Sequence, residues 1–202
     1  QAGLKSWIPF YTKTLKDGEL NPQVYRSRKD SVYSLEVAEN IFIDQDYTKR
    51  MYEKILSTSL GPKKYKYSDL CYYFTQKVFE SILGEGQDAF LHRAIYKPMG
   101  LQNIRYHPLN FFKKERIVPT EHDHKFRKQL VHGYVHDPGA AMLGGVGGHA
   151  GIFSNAADLA SIMQLFLQNG SYAGNNFFTA SIRKKFTKKQ YENNRRAIGF
   201  DR

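Results

Sequence analysis

Residues 66–84 read Lys66-Tyr67-Ser68-Asp69-Leu70-Cys71-Tyr72-Tyr73-Phe74-Thr75-Gln76-Lys77-Val78-Phe79-Glu80-Ser81-Ile82-Leu83-Gly84. Leu70, Phe74, Val78 and Ile82 recur at four-residue steps, which places them on one face of a helix. Asp69 stands where an N-cap belongs, and Gly84 suits a left-handed C-terminal cap. The helix is therefore expected to begin beside Tyr67-Ser68-Asp69. A tyrosine just ahead of a helix N-terminus sits at the positive end of the peptide dipoles. That field favours phenolate, more so with a lysine ammonium nearby, and a phenolate can take a proton from a serine hydroxyl. Taken alone, an aromatic–Ser–Asp tripeptide before a helix reads first as a plain cap.

Working outward, Tyr47, Met51 and Ile55 share a face and predict a helix over 46–57, stopped by Leu60-Gly61-Pro62. Residues 31–42 also have helical character. A further helix is expected over 87–96, ending near Lys97-Pro98-Met99-Gly100-Leu101. Another runs over 156–168, with Leu159, Ile162, Met163, Phe166 and Leu167 as its apolar face. Asn155 and Asp158 form its capping pair, and Gly170 closes it. A last helix is expected near 179–189, and Ala197-Ile198-Gly199-Phe200 looks like a strand. Residues 1–30 read as an irregular extended segment. Residues 103–151 are loop-rich, broken by Pro108, Pro119 and Pro138, with glycines crowding 144–151. So long an irregular stretch is usually functional. Strand alternation is almost absent, so the expected class is mainly α.

The 202 residues suit one domain or one lobe of a larger enzyme, and 41% hydrophobic residues make the composition globular. No apolar run is long enough to span a bilayer. The start, Gln1-Ala2-Gly3-Leu4-Lys5, has no initiator Met and no signal-peptide core, so the chain reads as cut from something longer. Cys71 is the single cysteine and reads as a small buried helix side chain. The net charge of +11 raises nucleic acid, anionic membrane or acidic polymer as partners. The positive charges are scattered, with a denser patch at Arg183, Lys184, Lys185, Lys188, Lys189, Arg195 and Arg196. No RNP, zinc-finger or helix-turn-helix pattern accompanies them, so a solvated basic face is expected and nucleic acid is not.

Several chemical motifs fail. Ser181-Ile182-Arg183-Lys184 fits S-x-x-K, but it lies in a basic, surface-like helix. Gly145-Val146-Gly147-Gly148-His149-Ala150 fits a loose dinucleotide pattern with no strand before it and no βαβ unit around it. His122, His124, His132, His136 and His149 gather within one stretch with Asp123 and Asp137. Lys125, Arg127 and Lys128 would repel a cation there, and Gly133 and Pro138 argue against a helix carrying His132 and His136. Hydrogen bonds that structure the loop are the expectation. Neither a metal nor a cofactor is expected.

Three blocks occur in order: Lys66-Tyr67-Ser68-Asp69-Leu70, then Tyr96-Lys97-Pro98-Met99-Gly100-Leu101, then Gly147-Gly148-His149-Ala150-Gly151-Ile152-Phe153-Ser154 with Ala157-Asp158-Leu159-Ala160. Together they resemble the class C β-lactamase and penicillin-binding-protein-like serine hydrolase family. Gln1-Ala2-Gly3-Leu4 resembles the tail of that family's L-L-T-H-x-S-G-L segment. Arg195 to Asp201 resembles the entry to its third-motif strand. His132-Gly133-Tyr134-Val135-His136-Asp137-Pro138-Gly139-Ala140-Ala141-Met142-Leu143-Gly144-Gly145 is similar to the serine hydrolase module fused behind a family 3 glycoside hydrolase in Bacteroides-type bacteria.

The resemblance implies a single partial domain over 1–202, the helical lobe of the β-lactamase/transpeptidase-like α/β fold, with most of the sheet missing. It implies an acyl-enzyme mechanism in which Tyr67 is the general base, while Ser68, Asp69 and His149 lie on the substrate side. Asp69 stands where the family usually has Asn, and an ionised carboxylate accepts hydrogen bonds but cannot donate. The S-x-x-K nucleophile and the third motif would lie outside the chain, so the chain alone is expected to be inactive. The implied substrate is a small molecule or a peptidoglycan peptide, in the cell envelope, periplasmic or secreted. A fused glycoside hydrolase domain is a further implied partner. A non-catalytic module for anionic wall polymer is the alternative. Apolar surface left open where the sheet would pack is expected to drive self-association.

Overall fold

The structure, a computed structural model, describes residues 2–201. The chain folds as two units, one built from residues up to Asp88 with 105–153, the other from 89–104 with residues from Ser154 onward.

Turn chemistry organises the start of the first unit. Asp17 and Gly18 both have positive φ, at 53° and 79°, which is the type I′ geometry that suits a two-residue hairpin loop. They join β1 (Leu15–Lys16) to β2 (Glu19–Leu20). β3 (Tyr25–Arg26), β4 (Leu35–Ala38) and β5 (Ile41–Ile43) form an antiparallel sheet in the order β3-β5-β4. Asn40, at φ 57°, makes the turn between β4 and β5, and a bulge falls between Glu36 and Ala38. The helical reading of 31–42 is therefore corrected. Val37, Ala38, Ile41 and Ile43 are buried as strand residues, and the Glu39-Asn40 turn breaks any helical path.

α1 (Tyr47–Leu56) follows as expected and buries Met51 and Ile55. α2 (Leu70–Leu83) ends on Gly84 at φ 70°. Its buried face differs from the expected stripe. Leu70, Tyr73 and Gln76 are buried, whereas Val78 and Ile82 are 58% and 77% exposed. α3 (Gln87–Leu91) runs into a π-helical turn at His92–Tyr96. β6 (Glu121–Asp123) and β7 (Gln129–Val131) pair antiparallel, and α4 (Pro138–Met142) follows. Pro138 starts that helix, where its missing N–H costs nothing, and the Asp137 carboxylate caps it by accepting from the Ala140 N–H at 2.7 Å. The core of this unit joins Phe10, Val37, Met51, Leu70, Phe126 and Met142.

The second unit holds α5 (Ala156–Leu167), β8 (Ser171–Tyr172), β9 (Asn175–Asn176) and α6 (Ala180–Thr187). The Asn155 side chain caps α5 by accepting from the Asp158 N–H, and the Asp158 carboxylate accepts from the Asn103 N–H. Leu165 is the buried apolar residue of α5, while Leu159, Met163 and Leu167 are exposed, so the expected apolar face is also corrected. Tyr96, Met99, Leu101 and Ile104 pack with Leu165, which gives the Tyr96–Leu101 motif a packing role. The expected strand near 197–200 is reduced to one bridge, Arg196 to Asp201. Helix amounts to 35% and strand to 14%, so the description mainly α holds only in part. The strands that sequence alternation missed are two to four residues long. That is too short to display a period.

Candidate functional site

Tyr67 lies immediately ahead of α2 and is 61% exposed. The Ser68 hydroxyl donates to the Lys5 carbonyl at 2.6 Å and accepts from the Leu70 N–H at 3.2 Å. Asp69 occupies the N-cap position in helical conformation, φ −79° and ψ −20°, and its carboxylate makes no capping bond. The expected Asp69 cap is thus replaced by Ser68. An N-cap side chain reaches the next N–H groups from extended backbone, which Asp69 does not have.

One and a half turns on, Tyr73 stacks on His149, with centroids 4.5 Å apart and planes 16° from parallel. His149 Nε2 lies 2.8 Å from Asp137 Oδ1, and the imidazole is 4% exposed. Burial raises the Asp137 carboxyl, but hydrogen bonds from His149, Ala140 and Gly139 hold it below the usual carboxylate range. Asp137 is therefore the acceptor and Nε2 the donor. In the neutral ring Nδ1 then carries a lone pair, and this buried atom has no protein partner among the described residues. Burial, followed by the charges of Asp137 and Asp69, pushes the Tyr73 phenol well above its usual range, so it stays a neutral hydroxyl. Asp137, Asp69, Tyr73 and His149 thus share one electrostatic neighbourhood.

Glycine lets the loop approach this helix. A Cβ on Gly139 would lie 2.1 Å from the Tyr73 hydroxyl, and one on Gly148 would lie 2.3 Å from the Tyr72 carbonyl. Buried Gln76 fixes the 144–151 loop with both ends of its amide. Its Oε1 accepts from the Gly148 N–H at 2.9 Å, and its Nε2 donates to the Val146 carbonyl at 3.1 Å and to Glu80 at 3.0 Å. Gln87 adds a bond from Nε2 to the Tyr106 hydroxyl at 2.7 Å.

The structure therefore brings His149 of the expected set against α2, the helix that Tyr67, Ser68 and Asp69 introduce. Tyr73, Gln76 and Asp137 were not among the expected site residues. Gln76 lies in the polar run Thr75-Gln76-Lys77, so the sequence does not single it out, and only its burial marks its role. The remaining histidines scatter into loop contacts. His132 Nε2 meets the Ile117 carbonyl, His136 lies 3.5 Å from Glu121, and His122 meets His124. No group of three or more His, Cys, Asp or Glu side chains is placed to hold a metal among the described residues. In the second unit, Arg183 donates to Asn169 and Arg195 pairs with Asp201 at 2.7 Å. No helix among the described residues is long and apolar enough to cross a membrane.

No family model matches the chain. A curated protein of Escherichia coli (strain K12), named "Putative D-alanyl-D-alanine carboxypeptidase", is 35% identical over 149 residues, covering 68% of this chain and 34% of that protein. A protein of the same name from Salmonella newport (strain SL254) is 33% identical over the same length. The chain spans about a third of the length of the curated relatives it matches. A solved structure titled "Crystal structure of putative beta-lactamase from Bacteroides dorei DSM 17855" overlays 96% of this chain and 51% of its own at 15% identity and a TM-score of 0.49. By sequence the chain is a relative of proteins named as D-alanyl-D-alanine carboxypeptidases, and that relationship supports the penicillin-binding-protein-like serine hydrolase family.

Proposed function

We propose that the chain is part of a penicillin-binding-protein-like serine hydrolase whose whole protein cleaves an amide or ester through an acyl-enzyme. The observation that carries this reading is the 35% identity over 149 residues to proteins named as D-alanyl-D-alanine carboxypeptidases. A peptidoglycan peptide or a related D-amino-acid compound is the substrate class, and the cell envelope is the place of action.

In this reading Tyr67 is the general base, and its exposure ahead of α2 leaves it accessible to a serine hydroxyl. Asp69 faces the substrate as an acceptor, which favours a substrate that presents an N–H or ammonium there. Ser68 fixes the start of α2, and His149 holds the 144–151 loop against it. A neighbouring family 3 glycoside hydrolase module rests on the 132–145 segment alone. Exposed Val78 and Ile82 on α2 are the apolar surface through which the isolated chain self-associates.

In the full-length protein, Tyr67→Phe lowers the rate of acylation by about 10²–10⁴-fold. Unchanged turnover removes Tyr67 from the mechanism. The only S-x-x-K in the chain is Ser181 to Lys184, in α6, a helix with no buried residue. The isolated chain therefore takes no covalent label from a fluorescent penicillin. Labelling at any of its serines would contradict this reading.

A further inference from the structure

β6 carries His122 on its exposed face, and His124 follows two residues later, also exposed. Their ring centroids are 4.3 Å apart, and His122 Nδ1 lies 3.0 Å from His124 Nε2. Two neutral imidazoles reach this distance when one N–H donates to the other's lone pair. The same separation is the bite of a chelate. Bonds of about 2.0–2.1 Å to one ion place two nitrogens about 2.9 Å apart at a right angle and about 3.3 Å apart at the tetrahedral angle.

We propose that His122 and His124 form a two-imidazole site for a divalent transition-metal ion, Ni²⁺, Cu²⁺ or Zn²⁺, with water in the remaining positions. The hairpin holds the pair in place. β6 and β7 pair in the register Glu121 to Val131, His122 to Leu130 and Asp123 to Gln129. The Asp123 carboxylate then accepts from the N–H groups of Lys125, Phe126 and Arg127, which sets the backbone on either side of His124.

The neighbouring carboxylates are committed elsewhere. Glu121 and Asp123 are both bound to the buried Arg127 guanidinium. The site is therefore nitrogen-only, which selects imidazole-preferring ions over Mg²⁺ and Ca²⁺. Those two carboxylates also neutralise Arg127, and Lys128 pairs with Glu19, so of the three nearby cations expected to repel a metal two are compensated, and the exposed Lys125 keeps its charge in solvent. For both nitrogens to present lone pairs, the donor ring shifts its proton to its other nitrogen through solvent. The neutral pair loses no net proton.

The test uses the purified chain without a polyhistidine tag, titrated calorimetrically with Ni²⁺ and then Zn²⁺ at neutral pH. One ion per chain is expected, and excess Mg²⁺ does not displace it. His122→Ala and His124→Ala each weaken binding by roughly tenfold or more. His136→Ala leaves it unchanged. Both substituted side chains are exposed, so thermal unfolding of the variants matches the parent. The proposal is overturned if the parent shows no saturable binding, if Mg²⁺ competes, or if binding survives both alanine substitutions.

Discussion

Arg127 and His149 are buried polar side chains of the same unit, each with a carboxylate partner, yet they are satisfied to different degrees. The Arg127 guanidinium makes four hydrogen bonds, to Asp123, Glu121 and the carbonyls of Val135 and His136. Asp123 in turn accepts three backbone N–H groups. His149 is held on one side by Asp137 and on its face by Tyr73, but its Nδ1 has no protein partner among the described residues. A closed polar network ties a hairpin to its neighbours. An open one leaves a ring nitrogen beside a glycine loop with no protein partner among the described residues. The completeness of hydrogen bonding separates the Arg127 network from the candidate site around His149.

The largest expected effect breaks the closed side of this comparison. Arg127→Met removes the guanidinium from two carboxylates and two carbonyls, and should destabilise the chain by about 3–5 kcal/mol. The midpoint of urea unfolding measures it. A loss below about 1 kcal/mol would mean that the β6–β7 hairpin does not depend on this network. Next in size is Gln76→Leu, which strips the Gly148 N–H and the Val146 carbonyl of their partner. A loss of about 2 kcal/mol is expected, with faster amide exchange at Gly148. Unaltered exchange there would show that the glycine loop holds its shape without α2.

Much of the helical frame was legible in the sequence, and the part that was not has a common physical cause. α1 kept its face because Met51 and Ile55 meet the core that periodicity implies. α2 was expected in the right place but on the wrong face. Its buried side is chosen by a loop about seventy residues away, whose glycines admit Tyr73 and Gln76 at distances no side chain would allow. Periodicity within one segment carries no information about such a partner. The β4–β5 hairpin was missed for a related reason, since strands of three and four residues resemble one helical turn. The Tyr67-Ser68-Asp69 stretch was legible as a helix start, but which of its side chains does the capping is a matter of backbone conformation. The Asp137–His149 pairing lay within the noted histidine stretch, and only the fold brings the two together over Tyr73.

Acid titration sharpens the comparison further. Burial raises Asp123, but its three backbone donors and Arg127 outweigh that and bring it down to about 2. Asp137 is lowered as well. A carboxyl depressed in the folded state contributes stability that is complete above its ordinary value near 4 and is lost as pH falls through the folded value. Thermal unfolding followed from neutral pH to about pH 2 should therefore show an acid decline that Asp123→Asn makes shallower. If the slope of the variant equals that of the parent, Asp123 is not the group being protonated.

The smallest effects test the start of α2, where two adjacent side chains make opposite claims. Ser68 accepts from the Leu70 N–H at the helix entry and donates to the Lys5 carbonyl of the N-terminal segment, so Ser68→Ala should cost about 1 kcal/mol. Asp69 holds the N-cap position without a capping bond, so Asp69→Asn should change stability by less than about 0.5 kcal/mol. Paired urea unfolding curves decide between them. If Asp69→Asn is the costlier change, the carboxylate is anchoring the helix after all. If it is neutral, the residue has no measurable structural duty, which is what its proposed substrate-facing role requires.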